Sequence, residues 1–369
     1  ARMMHEQLEF TKEKYSEVKG DEPVSHILGI AEEAIFDFTS LLTDNDDAPQ
    51  KVFSDVEERL DELSTDPIDQ VGIPTGFGRY DFAIGGGLRK GTVNVIGARP
   101  KTGKTLFAEN AGIYIAHKLG IPVLNLDTEM MRKDHQDRGI AMLTEVAIND
   151  IETGQFASNS YKNQKIRDTA EKVKDIPYYH KSIGGKPFED QLSIMRRWLA
   201  KEVGVNAQGK SNDCVIIYDY LKIMDSADIS GDMKEYQALG FLMTSLHNFA
   251  IRYEVPVLAF VQLNRDGINK ESTDTASGSD RIIWLCSNFS IYKSKSDEEI
   301  AKDGPENGNR KLVPVISRHG EGLADKDYIN INMIGKYGKI VEGKTAFELE
   351  DGTDYSETLE NGNDDIPFA

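Results

Sequence analysis

The apolar positions of the chain follow two different periods. Val24, Ile27, Leu28, Ala31, Ile35, Phe38 and Leu42 recur at spacings of three and four after Asp21 and Pro23, which predicts an amphipathic helix over about 22–43. The run Thr43-Asp44-Asn45-Asp46-Asp47-Ala48-Pro49 breaks it, and a second stripe follows at Val52, Phe53, Val56, Leu60 and Leu63. Residues 1–70 therefore read as a helical segment whose stripe is buried either on its own domain or on a neighbouring subunit. From residue 71 to about 347, short β-branched runs alternate with helical stretches. Strands are expected at Thr92–Ile96, Val123–Leu126, Cys214–Tyr218, Val257–Val261, part of Ile283–Tyr292, and Leu312–Ile316. This alternation predicts an α/β domain with a mostly parallel sheet covered by helices on both faces. Residues 348–369 hold eight Asp or Glu and neither Lys nor Arg, the composition of a disordered acidic tail.

Charge narrows the class. The 369 residues carry 62 acidic and 43 basic side chains, a formal charge of −19, which excludes a generally basic nucleic-acid coat while leaving room for a local basic groove. A chain of this length buries enough surface to fold without disulfides or a structural metal. Cys214 and Cys286 are too few and too isolated for a disulfide framework, and no Cys/His spacing has the form of a zinc site. A reducing, cytoplasmic compartment is expected. No apolar run approaches the ~18 residues of a membrane span, and residues 1–25 are too charged for a signal peptide, so no membrane partner is expected. Ala1 in place of Met is read as a trimmed or truncated N-terminus.

The strongest chemical signal is Gly97-Ala98-Arg99-Pro100-Lys101-Thr102-Gly103-Lys104-Thr105, directly after an apolar strand and directly before a helical pattern. Backbone N–H groups of such a loop and the helix N-terminus cradle phosphates, Lys104 reaches the β/γ-phosphates, and Thr105 holds Mg²⁺. ATP and Mg²⁺ are the expected ligands. Ala98 stands where the consensus has its first Gly. The strand Val215-Ile216-Ile217-Tyr218 ends in Asp219, placed to hold Mg²⁺ through water. Glu129, in Asp127-Thr128-Glu129 at the end of the following strand, is placed to polarise the attacking water, with Asp127 as its rival. Gln262 ends another strand and is suited to sensing the γ-phosphate.

At this point the sequence resembles the DnaB-type replicative helicases, a branch of the RecA-like P-loop ATPases. The residues that carry the resemblance are Gly72-Ile73-Pro74-Thr75-Gly76-Phe77 with Gly86-Gly87-Leu88, the phosphate loop, Thr128-Glu129-Met130, and Asp219-Tyr220-Leu221-Lys222-Ile223-Met224. Gln262-Leu263-Asn264-Arg265 and Arg318-His319-Gly320 complete the set, in order over about 250 residues. The resemblance implies a homohexameric ring that translocates on single-stranded DNA, 5′ to 3′, with ATP between subunits. It implies that Arg318 is an arginine finger acting on a neighbour's nucleotide, worth about 10³ to 10⁵ in turnover. The family usually has Lys two residues before this Arg, where this chain has Ile316; either Arg318 works alone or Lys311 or Arg310 covers the role. The helix at 22–43 resembles the family's linker, which docks on the adjacent subunit.

Two loops at strand ends are candidate DNA contacts: Ser226–Glu235 with Lys234, and Arg265–Arg281 with Arg265, Lys270, Gly278 and Arg281. The Asp364-Asp365-Ile366-Pro367-Phe368 segment is similar to acidic, Phe-bearing tips that dock on replication proteins. Primase, polymerase or another replisome protein is therefore an expected partner, through that tail or the N-terminal region. Two other readings stay open: a recombinase or circadian-type ATPase of the same superfamily, and a nucleotide-switched scaffold that binds DNA without unwinding it.

Overall fold

In the computed structural model, residues 9, 12, 29, 51–221, 235–263 and 280–352 are described, with the backbone alone at 220, 235–238, 280 and 281. The elements run α1 (Val56–Thr65), α2 (Gly78–Ala83), β1 (Val93–Ala98), α3 (Lys104–Lys118), β2 (Val123–Asp127), α4 (Arg132–Thr144), α5 (Ile148–Glu152), α6 (Ser160–Val173) and β3 (Tyr178–Ser182). They continue with α7 (Phe188–Trp198), β4 (Val215–Leu221), α8 (Glu235–Tyr253), β5 (Val257–Gln262), α9 (Asp280–Leu285), β6 (Asn288–Ser294) and α10 (Asp297–Asp303). The last are β7 (Arg310–Ser317), β8 (Ile329–Ile334), β9 (Lys339–Thr345) and α11 (Ala346–Asp351). The described residues fall into two compact units, one from residues 9, 12, 29 and 51–69 with Gly185–Asn212, the other from Gln70–Gly184 and residues 213–221, 235–263 and 280–352.

In the smaller unit, α1 leaves Val56, Leu60 and Leu63 exposed and has no buried residue. Of the predicted 22–43 helix, only Gly29 lies among the described residues; it is buried, and a Cβ on it would stand 3.8 Å from Asp190 Oδ1 and Ser193 Oγ of α7.

The larger unit is built on a nine-stranded sheet in the order β3-β2-β4-β5-β1-β6-β7-β8-β9. The first six positions are parallel and the last three strands antiparallel. Every residue of β1 and β2 is buried, as expected of strands covered on both faces, and their apolar runs are correspondingly continuous. Strands β3, β8 and β9 were not expected from the sequence; of the range Ile283–Tyr292, the strand takes the part from Asn288 and Ile283–Leu285 belongs to α9. Pro314 sits in the interior of β7, where it is tolerated because the register with β6 shifts between Phe289 and Ser290.

Helix α3 is enclosed. Phe107 stacks on Phe77 with centroids 4.4 Å apart and meets Tyr80, Phe260 and Tyr292 at 6.0, 6.2 and 5.7 Å. Asn110, on the same helix, donates to Gly338 O at 2.9 Å and accepts from Ile340 N–H at 3.0 Å, so the β8–β9 hairpin is tied to α3. The folded unit continues past residue 347. In α11, Thr345 and Glu348 form a capping box, and the fully buried Glu348 receives both Arg79 Nε at 2.7 Å and Arg79 Nη2 at 2.9 Å. The Asp364–Phe368 segment lies outside the described residues.

Candidate nucleotide site

Open α/β sheets place ligands at the carboxyl ends of their parallel strands. Here the register brings four predicted residues to that edge. Ala98, the last residue of β1, pairs with Gln262 of β5 and with Tyr292 of β6, while Asp127 of β2 pairs with Asp219 of β4. The pairing of β4 with β5 slips between Tyr218 and Leu221, so Asp219 sits at an irregularity that frees it from the regular ladder.

After β1 the chain turns through Arg99, Pro100, Lys101, Thr102 and Gly103 into α3, which begins at Lys104. Thr102 closes the turn, its amide and hydroxyl both donating to Arg99 O, at 3.3 and 2.8 Å. Gly103 has φ +111°, and a Cβ there would stand 2.5 Å from Met333 Sδ, so the position demands glycine twice over. The loop is also held from its own sheet: Arg310 Nε donates to Thr102 O at 3.1 Å. Lys104 is buried, which pushes its pKa down against the attraction of Asp219 and Glu129.

Asp219 is buried too, and its pKa is pushed up to about 6 by desolvation, although the Thr105 hydroxyl and Lys104 oppose that. Its Oδ1 has no hydrogen-bond partner. A buried carboxylate oxygen left over beside a hydroxyl is a hard-oxygen pair that fits Mg²⁺. Among the described residues there is no group of three or more His, Cys, Asp or Glu able to hold a metal, so such an ion would draw its remaining ligands from phosphate and water.

Of the two rival carboxylates, Asp127 is turned inward. Its Oδ1 accepts the backbone N–H of Glu129 at 2.5 Å and of Met130 at 2.6 Å, and its Oδ2 lies 3.3 Å from His135 Nε2. Glu129 is exposed and feels the charge of Lys104. Thr128 N–H donates to Asp219 O at 3.1 Å, which locks the Glu129 turn to β4.

Arg318 lies at the other end of the sheet. In antiparallel β7, Arg310 pairs beside Ser294 and Ser317 beside Asn288, so the stretch from Arg310 to Arg318 runs roughly 25 Å away from the phosphate loop. Arg318 is exposed; its N–H donates to Ser287 O at 3.0 Å and to Asn288 Oδ1 at 3.3 Å. The Arg318–Gly320 turn packs on the Gly85–Gly87 loop so tightly that a Cβ on Gly85 would lie 2.4 Å from the His319 carbonyl carbon. The substitute cations are engaged elsewhere. Lys311 is buried, with its ammonium 2.5 Å from Glu299 and 4.6 Å from the Tyr328 ring, and Arg310 faces its own loop. Ile316 is partly buried opposite Phe289.

The segments around Gly72 and Gly86 form a buttress: Ile73 bridges Leu88, and Thr75 donates its N–H and its hydroxyl to Asp81, each at 2.8 Å. Lys234, Arg265, Lys270 and Gly278 lie outside the described residues, and Arg281 is described only as backbone in α9. The sequence reading missed Glu109, His135, Asn288 and the cis contact of Arg310; the cue for the first was a charged residue in the middle of an otherwise apolar helix.

The profile of the DnaB-like helicase C-terminal domain matches residues 72–278. The chain belongs to the DnaB-like helicase family. Replicative DNA helicase DnaB of Pasteurella multocida (strain Pm70) is 31% identical over 297 residues, covering 76% of this chain and 61% of the relative. The DnaB of Helicobacter pylori (strain ATCC 700392 / 26695) is 27% identical over 294 residues, covering 74% and 56%. The chain thus spans about three fifths of these relatives. Two solved structures share its fold. One is an ATPase domain, with TM-score 0.68 at 17% identity over 80% of this chain and 100% of that one. The other is a DnaB-like replicative helicase studied with primase, with TM-score 0.66 at 16% identity over 92% and 77%. Among the described residues, no helix is long and apolar enough to cross a membrane.

Proposed function

We propose that this chain is the motor of a replicative DNA helicase that hydrolyses ATP at the contacts between subunits of a homohexameric ring and moves 5′ to 3′ on single-stranded DNA. The observation that carries this reading is the split of the site between the two ends of one sheet. Lys104, Thr105, Glu129, Asp219 and Gln262 converge at one edge, and Arg318 stands exposed at the other. A nucleotide held by Lys104 is out of reach of the same subunit's Arg318, so the group that completes the site comes from a neighbour.

In this mechanism the backbone of residues 98–105 and the Lys104 ammonium bind the phosphates. Glu129 takes up a proton from the attacking water, Gln262 reports the γ-phosphate, and the neighbour's Arg318 stabilises charge on the transferred group. Thr105 and Asp219 hold Mg²⁺, which when bound neutralises the β- and γ-phosphate oxygens. Lys234, Arg265, Lys270, Gly278 and Arg281 contact DNA. Primase or polymerase docks on the N-terminal region or the acidic tail, in the cytoplasm of a bacterial or phage-infected cell.

A second reading, a nucleotide-switched DNA-binding scaffold, is favoured by Ile316 in place of a second cation. Unwinding of forks with a 5′ or a 3′ tail decides. ATP-dependent opening of the 5′-tailed fork supports the helicase; ATPase without strand separation supports the scaffold, and homologous pairing supports a recombinase.

A further inference from the structure

Three buried side chains behind the Glu129 turn have no role in the chemistry above. Glu109 lies one turn beyond Thr105 on α3, Asp127 ends β2, and His135 is the fourth residue of α4; they are 2%, 1% and 5% exposed. His135 Nδ1 is 2.6 Å from Glu109 Oε1, and its Nε2 lies 3.3 Å from Asp127 Oδ2, a charge contact that lacks hydrogen-bond geometry. The other Asp127 oxygen accepts the amides of Glu129 and Met130. One imidazole thus joins three elements, and the link ends on the backbone of the residue assigned to the attacking water. Burying two carboxylates costs too much without a cation between them. Arg138 approaches only Glu109, at 3.8 Å, and the His180 ring, with centroids 4.5 Å apart, offers His135 no charge partner.

The geometry points to His135 as a positioning residue for ATP hydrolysis: it holds Asp127 so that this carboxylate fixes the Glu129 turn, and through Glu109 it ties that turn to the helix carrying Lys104 and Thr105. The inference rests on the reading of Glu129 given above. A misplacement of about 1 Å at a reacting group lowers turnover on the order of 10²-fold, so a relay of this kind acts on kcat rather than on nucleotide affinity.

Hydrogen exchange and steady-state ATPase measured on the full chain test it. Asp127→Ala and His135→Leu are expected to speed amide exchange at Glu129 and Met130 by about tenfold or more, since their acceptor is lost or released, with other peptides unchanged. The same variants lower kcat roughly 10- to 100-fold with KM for ATP within about twofold. Asp127→Asn keeps the volume and an oxygen for the two amides but turns an N–H toward His135 Nε2, so it is expected to fall between wild type and Asp127→Ala in both readouts; it also serves if His135→Leu fails to fold. Unchanged exchange in Asp127→Ala, or Asp127→Asn no better than Asp127→Ala, overturns the proposal. Exchange reads the relay whether or not the wild type hydrolyses ATP, so failure of the relay and failure of the helicase reading are separate results.

Discussion

Arg310 donates its guanidinium Nε to the Thr102 carbonyl at 3.1 Å, at the opposite end of β7 from Arg318. The two ends of β7 thus carry different cations, Arg310 on the loop of its own sheet and Arg318, just past Ser317, roughly 25 Å away from it. Substituting each separates the roles. Arg310→Ala is expected to raise the nucleotide Kd several-fold, because the loop loses a support. Arg318→Ala leaves Kd nearly unchanged and lowers DNA-stimulated turnover by about 10³. Fluorescent-nucleotide titration beside steady-state ATPase reads both, and wild-type turnover in Arg318→Ala would remove the finger assignment.

Gly103 offers a test of the loop itself. Gly103→Ala meets both a left-handed backbone, worth roughly 1 kcal/mol, and the Met333 sulfur. Thermal melting and nucleotide titration should both show the damage. Adding Met333→Ala removes the clash and not the backbone cost, so the double variant is expected to recover in part. Full recovery would mean that the positive φ carries no strain.

Much of this site was legible because its chemistry is written in contiguous residues: a strand, Gly103-Lys104-Thr105 and a helix need no tertiary information. Asp219, Glu129 and Gln262 could be placed because each ends an apolar run. The Glu109–His135–Asp127 link could not, since its members become neighbours only when α3, β2 and α4 pack. Strand β3 was missed because Tyr178-Tyr179-His180-Lys181-Ser182 is a half-exposed edge with no apolar alternation. Strands β8 and β9 form a local hairpin turned through Gly335–Tyr337, but β8 finds its place in the sheet only by pairing with β7 across the Arg318–Gly322 turn.

Glu348 ties α11, the last element among the described residues, to the sheet unit. Breaking its buried pair with Arg79 by Glu348→Ala is expected to cost about 3 kcal/mol, since the guanidinium loses its bidentate acceptor and Thr345 N–H loses its own. Truncation after Gly352 should leave the melting temperature unchanged, and truncation after Thr345 should lower it sharply. Equal melting temperatures for the two truncations would place the boundary earlier.

His135 also gives a pH signature. Burial opposes its protonation, yet Asp127 and Glu109 outweigh this and hold its pKa up to about 9 against an ordinary 6.5. A pKa raised in the folded state contributes stability that is complete below 6.5 and is lost as the pH rises through about 9. The melting-temperature gap between wild type and His135→Gln is therefore expected to be widest below neutral pH and to close above about 9. A gap constant with pH would show that the imidazole is neutral in the fold.

The central claim, a site completed across a subunit boundary, is tested most directly by mixing two inactive variants. Lys104→Ala keeps Arg318, and Arg318→Ala keeps the phosphate loop, so in a mixed assembly some contacts pair an intact loop with an intact finger. Co-assembled with single-stranded oligonucleotide, the mixture is predicted to hydrolyse ATP well above the sum of its parts. Activity no greater than that sum, in assemblies shown by mass to contain both variants, would contradict the account.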